Sequence, residues 1–234
     1  MTNKIIGIQG DKLDKINISS DTSIFLAHEA QKLGYKIFHY TPSNLSIIKN
    51  KTYANGVFVK LNYERKKFYK IYKKQKIDVE NFKFILIRQD PPFNSEYLIT
   101  TLILDDLKKT RVINNPVAIR NVSEKLYSKK FTKYMPNTIF SNNIEEVKKF
   151  YKQNKSIIMK PINGYGGNQI HLIKNKFNKK LVTNFLKKNG HSMFQKFLKN
   201  ISKGDKRVFI INGKVCGAIS RVPKKGSFLS NMSK

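Results

Sequence analysis

Apolar and polar positions along the chain change period several times, and each change marks an element. Lys4 to Ile8 is a short apolar run that reads as a buried strand. Asp21 or Thr22 is then placed to cap a helix with Leu26, Ala30 and Leu33 on one face, and Gly34 supplies its stop. Tyr35 to Tyr40 returns to strand character, which makes a β-α-β unit and implies a parallel sheet with a right-handed crossover. Ile47 to Lys60 predicts a hairpin turning at Asn55-Gly56, and the lysine- and tyrosine-rich Tyr63 to Lys76 a surface element. Phe82 to Ile87 is the most apolar short run of this half, a central strand stopped by Pro91 and Pro92. Ser95 is placed to cap a helix bearing Ile99, Leu102, Ile103 and Leu107 on one face; Arg111 to Asn114 adds a strand, and Asn115-Pro116 closes the region.

In the second half, Ser123 is placed as an N-cap, which sets Lys125 in a first helical turn where a cation opposes the helix dipole. Such a charge is either neutral surface or there for a ligand. Asn142-Asn143 starts a helix with Ile144, Val147 and Tyr151 on one face. Ser156 to Lys174 reads as two strands joined by a loop with Gly164, Gly166 and Gly167. Asn178 to Asn189 is amphipathic and ends at Gly190, Met193 to Leu198 is a strand, and Lys206–Ile211 pairs with Lys214–Arg221 across Asn212-Gly213. The class is α/β, with a parallel sheet in the N-terminal part.

Composition narrows the reading. At 234 residues and 40% hydrophobic, the chain has material for one large or two small domains with a real core. The net charge of +31 points first to nucleic acid, yet only six of the 46 basic residues are arginine: Arg65, Arg88, Arg111, Arg120, Arg207 and Arg221. Base readout and bidentate phosphate contacts favour arginine, and these lysines form no tail, so non-specific polyanion binding at low salt is expected rather than a dedicated role. One cysteine, Cys216, excludes an internal disulfide framework; it reads as a small core residue. No apolar run reaches the ~18 residues of a membrane span, and a soluble cytoplasmic protein without membrane partners is expected. His28, His39, His171 and His191 show no metal spacing and read as packing or surface residues.

Two places carry candidate chemistry. The glycine loop lets backbone N–H groups turn toward an anion, and Lys160 on the entering strand adds a point charge for a phosphate; the plainer reading is a loose hairpin with one solvated lysine. Arg88 and Asp90 follow the central strand at its carboxyl end, where open α/β sheets bind ligands; the alternative is an ion pair bracing the loop.

With these pieces in order, the chain resembles the bacterial glutathione synthetase family of ATP-grasp ligases. The segments that carry the resemblance are Arg88-Gln-Asp-Pro-Pro-Phe93, Asn114-Asn-Pro116, Asn121-Val-Ser-Glu-Lys-Leu126, Met159-Lys-Pro161 with Gly164-Tyr-Gly-Gly167, Gly204-Asp-Lys-Arg207 and Arg221-Val-Pro223. The resemblance implies an N-terminal substrate domain over 1–120, an ATP-grasp lid over 121–200 and the start of a second ATP-grasp subdomain over 201–234. It implies γ-glutamylcysteine and glycine as substrates, ATP and Mg²⁺ (or Mn²⁺) as cofactors, an acyl phosphate intermediate and a homo-oligomer when the protein is complete. Lys125 and Lys160 would hold ATP phosphates under a flap of Gly164, Gly166 and Gly167. Gln195, Lys196, Phe197 and Leu198 would form the adenine hinge, and Asp205 would accept from the ribose. Arg207 and Arg221 would stabilise the phosphoryl group in flight, while Arg88, Asp90 and Asn231 would contact the other substrates. Leu229 departs from the pattern, standing where an arginine is usual. No metal ligands are expected before Lys234, since the family's Glu-x-Asn lies later; a C-terminally incomplete chain, inactive alone and prone to aggregate, is the corresponding expectation. Another carboxylate–amine ligase, or a lysine-rich nucleic-acid binder, is the alternative.

Overall fold

In the computed structural model the described residues are 4–63, 67–224, 226, 227 and 229. They form two compact units, Met1–Val122 and Ser123–Lys234. In the first, β1 (Ile5–Gln9), α1 (Thr22–Lys32) and β2 (Lys36–Tyr40) make the β-α-β unit, with β1 and β2 parallel from Ile5↔Lys36 to Gln9↔Tyr40. The hairpin β3 (Leu45–Ile48) and β4 (Lys51–Leu61) follows, then β5 (Tyr69–Asp78), which pairs with β4. β6 (Phe84–Ile87) runs parallel to β1 on its other side, and after α2 (Ser95–Asp105) comes β7 (Arg111–Ile113), parallel to β6; α3 (Pro116–Asn121) ends the unit. The order β3-β4-β2-β1-β6-β7 makes β1 the strand from which connections leave in both directions. Period-2 alternation sorts the core: Ile6 and Ile8 pack with Ile24 and Ala27 of α1, while Ile5, Ile85 and Ile87 pack with Leu104 of α2.

The second unit holds β8 (Thr138–Ser141), α4 (Ile144–Asn154), β9 (Ile157–Pro161), β10 (His171–Ile173), α5 (Lys179–Asn189) and β11 (Ser192–Lys196). These strands form an antiparallel sheet in the order β10-β9-β11-β8. Ile157, Met159, Ile173 and Phe194 point to one face, where Val147 and Phe150 of α4 and Val182, Phe185 and Leu186 of α5 cover them. Asn143 and Asn178 cap the two helices through their side chains, and Gly190 ends α5 at φ 62°. A separate ribbon, β12 (Asp205–Ile211) and β13 (Lys214–Arg221), turns at Asn212 and Gly213, with φ of 49° and 76°.

Several expectations fail for physical reasons. The β3–β4 hairpin turns at Lys49-Asn50, both at positive φ, and β4 runs straight through Asn55-Gly56. Gly56 is there for close approach, since a Cβ would lie 2.4 Å from the His39 carbonyl oxygen. The buried face of α1 is Ser23, Ile24 and Ala27, leaving Leu26 and Leu33 exposed, because the Ser23 hydroxyl accepts a hydrogen bond from Arg88. Asn94, not Ser95, caps α2, whose buried face is Thr100, Thr101 and Leu104 while Ile99 and Leu102 face solvent. The threonines go inside because their hydroxyls donate to the carbonyls of Tyr97 and Leu98. The surface element expected from Tyr63 to Lys76 holds: β5 is exposed along most of its length, and its lysines blunt a sheet edge. The segment directly after Ser123 is not an α-helix: Leu126–Tyr134 is a kinked run of 3₁₀ turns, with Lys125 at its cap position. Cys216 is exposed, because the two-stranded ribbon gains no second layer among the described residues.

Candidate functional site

On the sheet of the second unit, alternation sends Ile157 and Met159 into the core and Ile158 and Lys160 to the opposite face. The loop from 162 to 170 then passes Gly166 and Gly167, at φ of 59° and 77°, a region that suits glycine. Lys160 Nζ donates to Gln195 Oε1 at 2.7 Å. Lys125 Nζ donates to the carbonyl oxygen of Gly164, so the kinked segment and the glycine loop are stitched together by one ammonium. Its carboxylate neighbour is Glu124, 3.4 Å away and largely exposed. Burial, and next the charge of Lys125, press the Lys160 ammonium below the usual lysine range, with Glu124 opposing weakly. Two half-compensated cations beside a glycine loop are a site for an anion of high charge.

Next to them is a cavity that gathers Lys160, Gln195, Lys196, Phe197, Leu198 and Asp205. At about 210 Å³ it is smaller than the ~300–1,000 Å³ clefts that enclose a whole drug-sized ligand, and suits one planar ring system. Its apolar walls are Pro136, Ile158, Ile170, Ile201 and Leu229; Ile158 and Ile170 flank the glycine loop in sequence, Leu229 stood out only as a departure from an expected arginine, and Pro136 and Ile201 carried no signal. Asp205 is held by Arg221 in a bidentate pair of 2.6 and 2.8 Å, so two residues expected to act separately share one ion pair. Arg207 is exposed on β12, and neither arginine lines the cavity. Asn231 lies outside the described residues.

In the first unit, Arg88 and Asp90 sit beyond the carboxyl end of β6. Arg88 donates to the hydroxyls of Ser23 and Thr22 at 2.9 and 2.8 Å, while the Asp90 amide donates to Asp11 Oδ2 at 3.0 Å. Among the described residues they form no ion pair with each other. Behind them a buried chain runs from Gln9 through Gln89 to Thr100. Burial, followed by the charges of Asp11 and Asp21, raises the Asp90 carboxyl above its ordinary range. His39 is buried alongside, its Nε2 without a hydrogen-bond partner among the described residues, and burial lowers its pKa to about 4.

Among the described residues no group of three or more His, Cys, Asp or Glu could hold a metal ion, so these residues do not by themselves fit a divalent cation. None of their helices is long and apolar enough to cross a membrane.

A lysine-bearing antiparallel sheet with a glycine loop, following an α/β unit whose sheet is parallel across β2-β1-β6-β7 and antiparallel beyond, is the architecture of ATP-grasp ligases. Solved structures share it: D-cycloserine synthetase superposes with a TM-score of 0.65 at 13% identity, covering 93% of this chain and 68% of its own. The RimK domain ATP-grasp protein of Sphaerobacter thermophilus gives 0.60 at 10% identity, covering 98% and 76%. The models of the prokaryotic glutathione synthetase N-terminal domain and ATP-grasp domain match residues 5–120 and 124–234. Glutathione synthetase of Mesorhizobium japonicum is 37% identical over 97% of this chain, which spans 74% of that relative's length. The chain belongs to the prokaryotic glutathione synthetase family.

Proposed function

We propose that the chain carries the nucleotide-binding part of an ATP-dependent ligase that joins γ-glutamylcysteine to glycine, releasing glutathione, ADP and phosphate. The observation that carries this reading is the pairing of Lys125 and Lys160 at the glycine loop, beside a cavity walled by the hinge strand. A carboxylate is a poor electrophile. Phosphorylation by ATP makes it an acyl phosphate, which the glycine amine then attacks, and the work left to the protein is positioning and charge stabilisation. Lys125 and Lys160 would take the phosphates, with Gly164, Gly166 and Gly167 closing over them. The segment from Gln195 to Leu198 would flank the adenine, and Asp205, oriented by Arg221, would accept from the ribose. Arg88, already fixed by two hydroxyls, and Asp90 would meet the dipeptide. Arg207 and Arg221 would stabilise the transferring phosphoryl group. Mg²⁺, when bound, would help to neutralise the phosphates; among the described residues no cluster of His, Cys, Asp or Glu would hold it.

In a protein completed to the length of its relatives, phosphate release that requires γ-glutamylcysteine, glycine and ATP together is the expected assay result. Release that instead requires a different acid and amine would move the protein to another carboxylate–amine ligase activity.

A further inference from the structure

The cavity-side face of the antiparallel sheet carries a hydrogen-bond chain whose direction follows from counting protons. Thr138, Gln195 and Lys160 lie on the adjacent strands β8, β11 and β9. Thr138 is directly opposite Gln195, while Lys160 is opposite Met193, two residues along on the same face. The single proton of the Thr138 hydroxyl goes to the Pro136 carbonyl, 2.7 Å away. Toward Gln195 Nε2, at 3.0 Å, Thr138 can therefore only accept. The Gln195 amide is thus oriented with its –NH₂ on Thr138 and its oxygen on the Lys160 ammonium at 2.7 Å. The flipped amide would set donor against donor at Lys160 and leave two acceptors facing each other's lone pairs at Thr138.

We propose that Thr138 is a positioning residue for the nucleotide: acting through the Gln195 amide, it holds the Lys160 ammonium beside the cavity while leaving its charge uncompensated for phosphate. The neutrality of the amide is the point, because a carboxylate at position 195 would fix the lysine equally well but neutralise it. Thr138 does not line the cavity, so its effect on a ligand passes through Gln195 or through the cavity wall at Pro136, and only the Gln195 route depends on Lys160. The proposal rests on the nucleotide reading given above.

The test is calorimetric binding of ADP and adenosine to the 234-residue chain and its variants. Thr138→Val keeps the β-branched shape but removes the acceptor; about a tenfold loss of ADP affinity is expected, with adenosine changed less than about twofold and Thr138→Ser restoring ADP. In a Lys160→Ala background the same Thr138→Val change should move ADP affinity by less than about twofold, since coupled residues lose their interaction when either is removed. Equal losses for ADP and adenosine, a tenfold loss that persists without Lys160, or unchanged ADP binding in Thr138→Val each overturn the relay. A wild-type chain that binds neither compound overturns the nucleotide reading itself, and the relay with it. Wild-type ADP binding with no coupling overturns the relay alone.

Discussion

Two regions of this protein gather polar side chains, and they do so with opposite electrostatics. At the carboxyl ends of β1, β2 and β6, Gln9, Gln89, Thr100, Thr22 and Ser23 bond to one another or to Arg88, with Gln9 Oε1 left unpartnered among the described residues, and the acids Asp11, Asp21 and Asp90 crowd the same surface. Beside the antiparallel sheet, Lys125 of the kinked segment instead approaches Lys160 closely enough for one to depress the other, with the exposed Glu124 carboxylate nearby. In a chain of net charge +31, counting cations does not locate an anion site. A partly buried like-charged pair does, because its repulsion and desolvation are relieved only when an anion arrives.

The comparison is broken most severely through the core beneath the lysines. Phe194 is fully buried against both helices of the second unit, so Phe194→Ala should cost ~3–5 kcal/mol. Hydrogen exchange should then show lost protection in β9 and β11 with β1 and β6 unchanged; loss in both sheets would make the regions one cooperative unit. In a protein completed to the length of its relatives, Lys160→Ala should remove ~2–4 kcal/mol of transition-state stabilisation, read as kcat/KM for ATP-driven phosphate release. Arg88→Ala should leave the KM for ATP as it was and raise that for the dipeptide; a raised ATP KM would erase the division of labour.

Acid should act on the first region. The unfolded chain protonates His39 near pH 6.5, whereas the buried imidazole resists until about 4, with burial outweighing the opposing backbone and charge of Asp11 and the charge of Asp21. Between those values the unfolded state binds the extra proton, so stability falls as pH falls, by up to ~1.4 kcal/mol per pH unit and ~3 kcal/mol in all; above pH 6.5 the group contributes nothing. Urea unfolding at pH 7 and pH 4.5 should show this slope, and His39→Gln should flatten it. The smallest effect concerns the glutamine chain. Gln9→Leu should cost ~1–3 kcal/mol by leaving Gln89 Oε1 without its donor, and adding Gln89→Leu should cost less than the sum of the single changes. Strict additivity would mean the two amides do not form a unit.

The same contrast explains what could be read beforehand. The β-α-β unit, the Asn212-Gly213 turn, and the apolar stripes of α4 and α5 were legible because one periodicity and one cap decide each of them. The faces of α1 and α2 were not. Their buried positions include Ser23, Thr100 and Thr101, hydroxyls drawn inward by Arg88, by Gln89 and by their own helix carbonyls, a pull invisible to a hydrophobic pattern. Asn55-Gly56 misled because glycine serves tight backbone contact as readily as a turn, and only the neighbouring strand decides which. In the candidate site, the glycines and Lys160 stand out locally, but Thr138 becomes visible only once β8 is set beside β11, across 57 residues of sequence.

The central claim is that the face of the antiparallel sheet bearing Lys160 receives the nucleotide. Photolabelling of the chain with 8-azido-ATP, followed by peptide mapping, tests it most directly. The account predicts adducts within the cavity segments around Ile158 or Phe197 to Ile201, suppressed by excess ATP and lost in the Lys125→Ala/Lys160→Ala variant. ATP-protected labelling confined to residues 4–122, or labelling that excess ATP leaves unchanged, would contradict it.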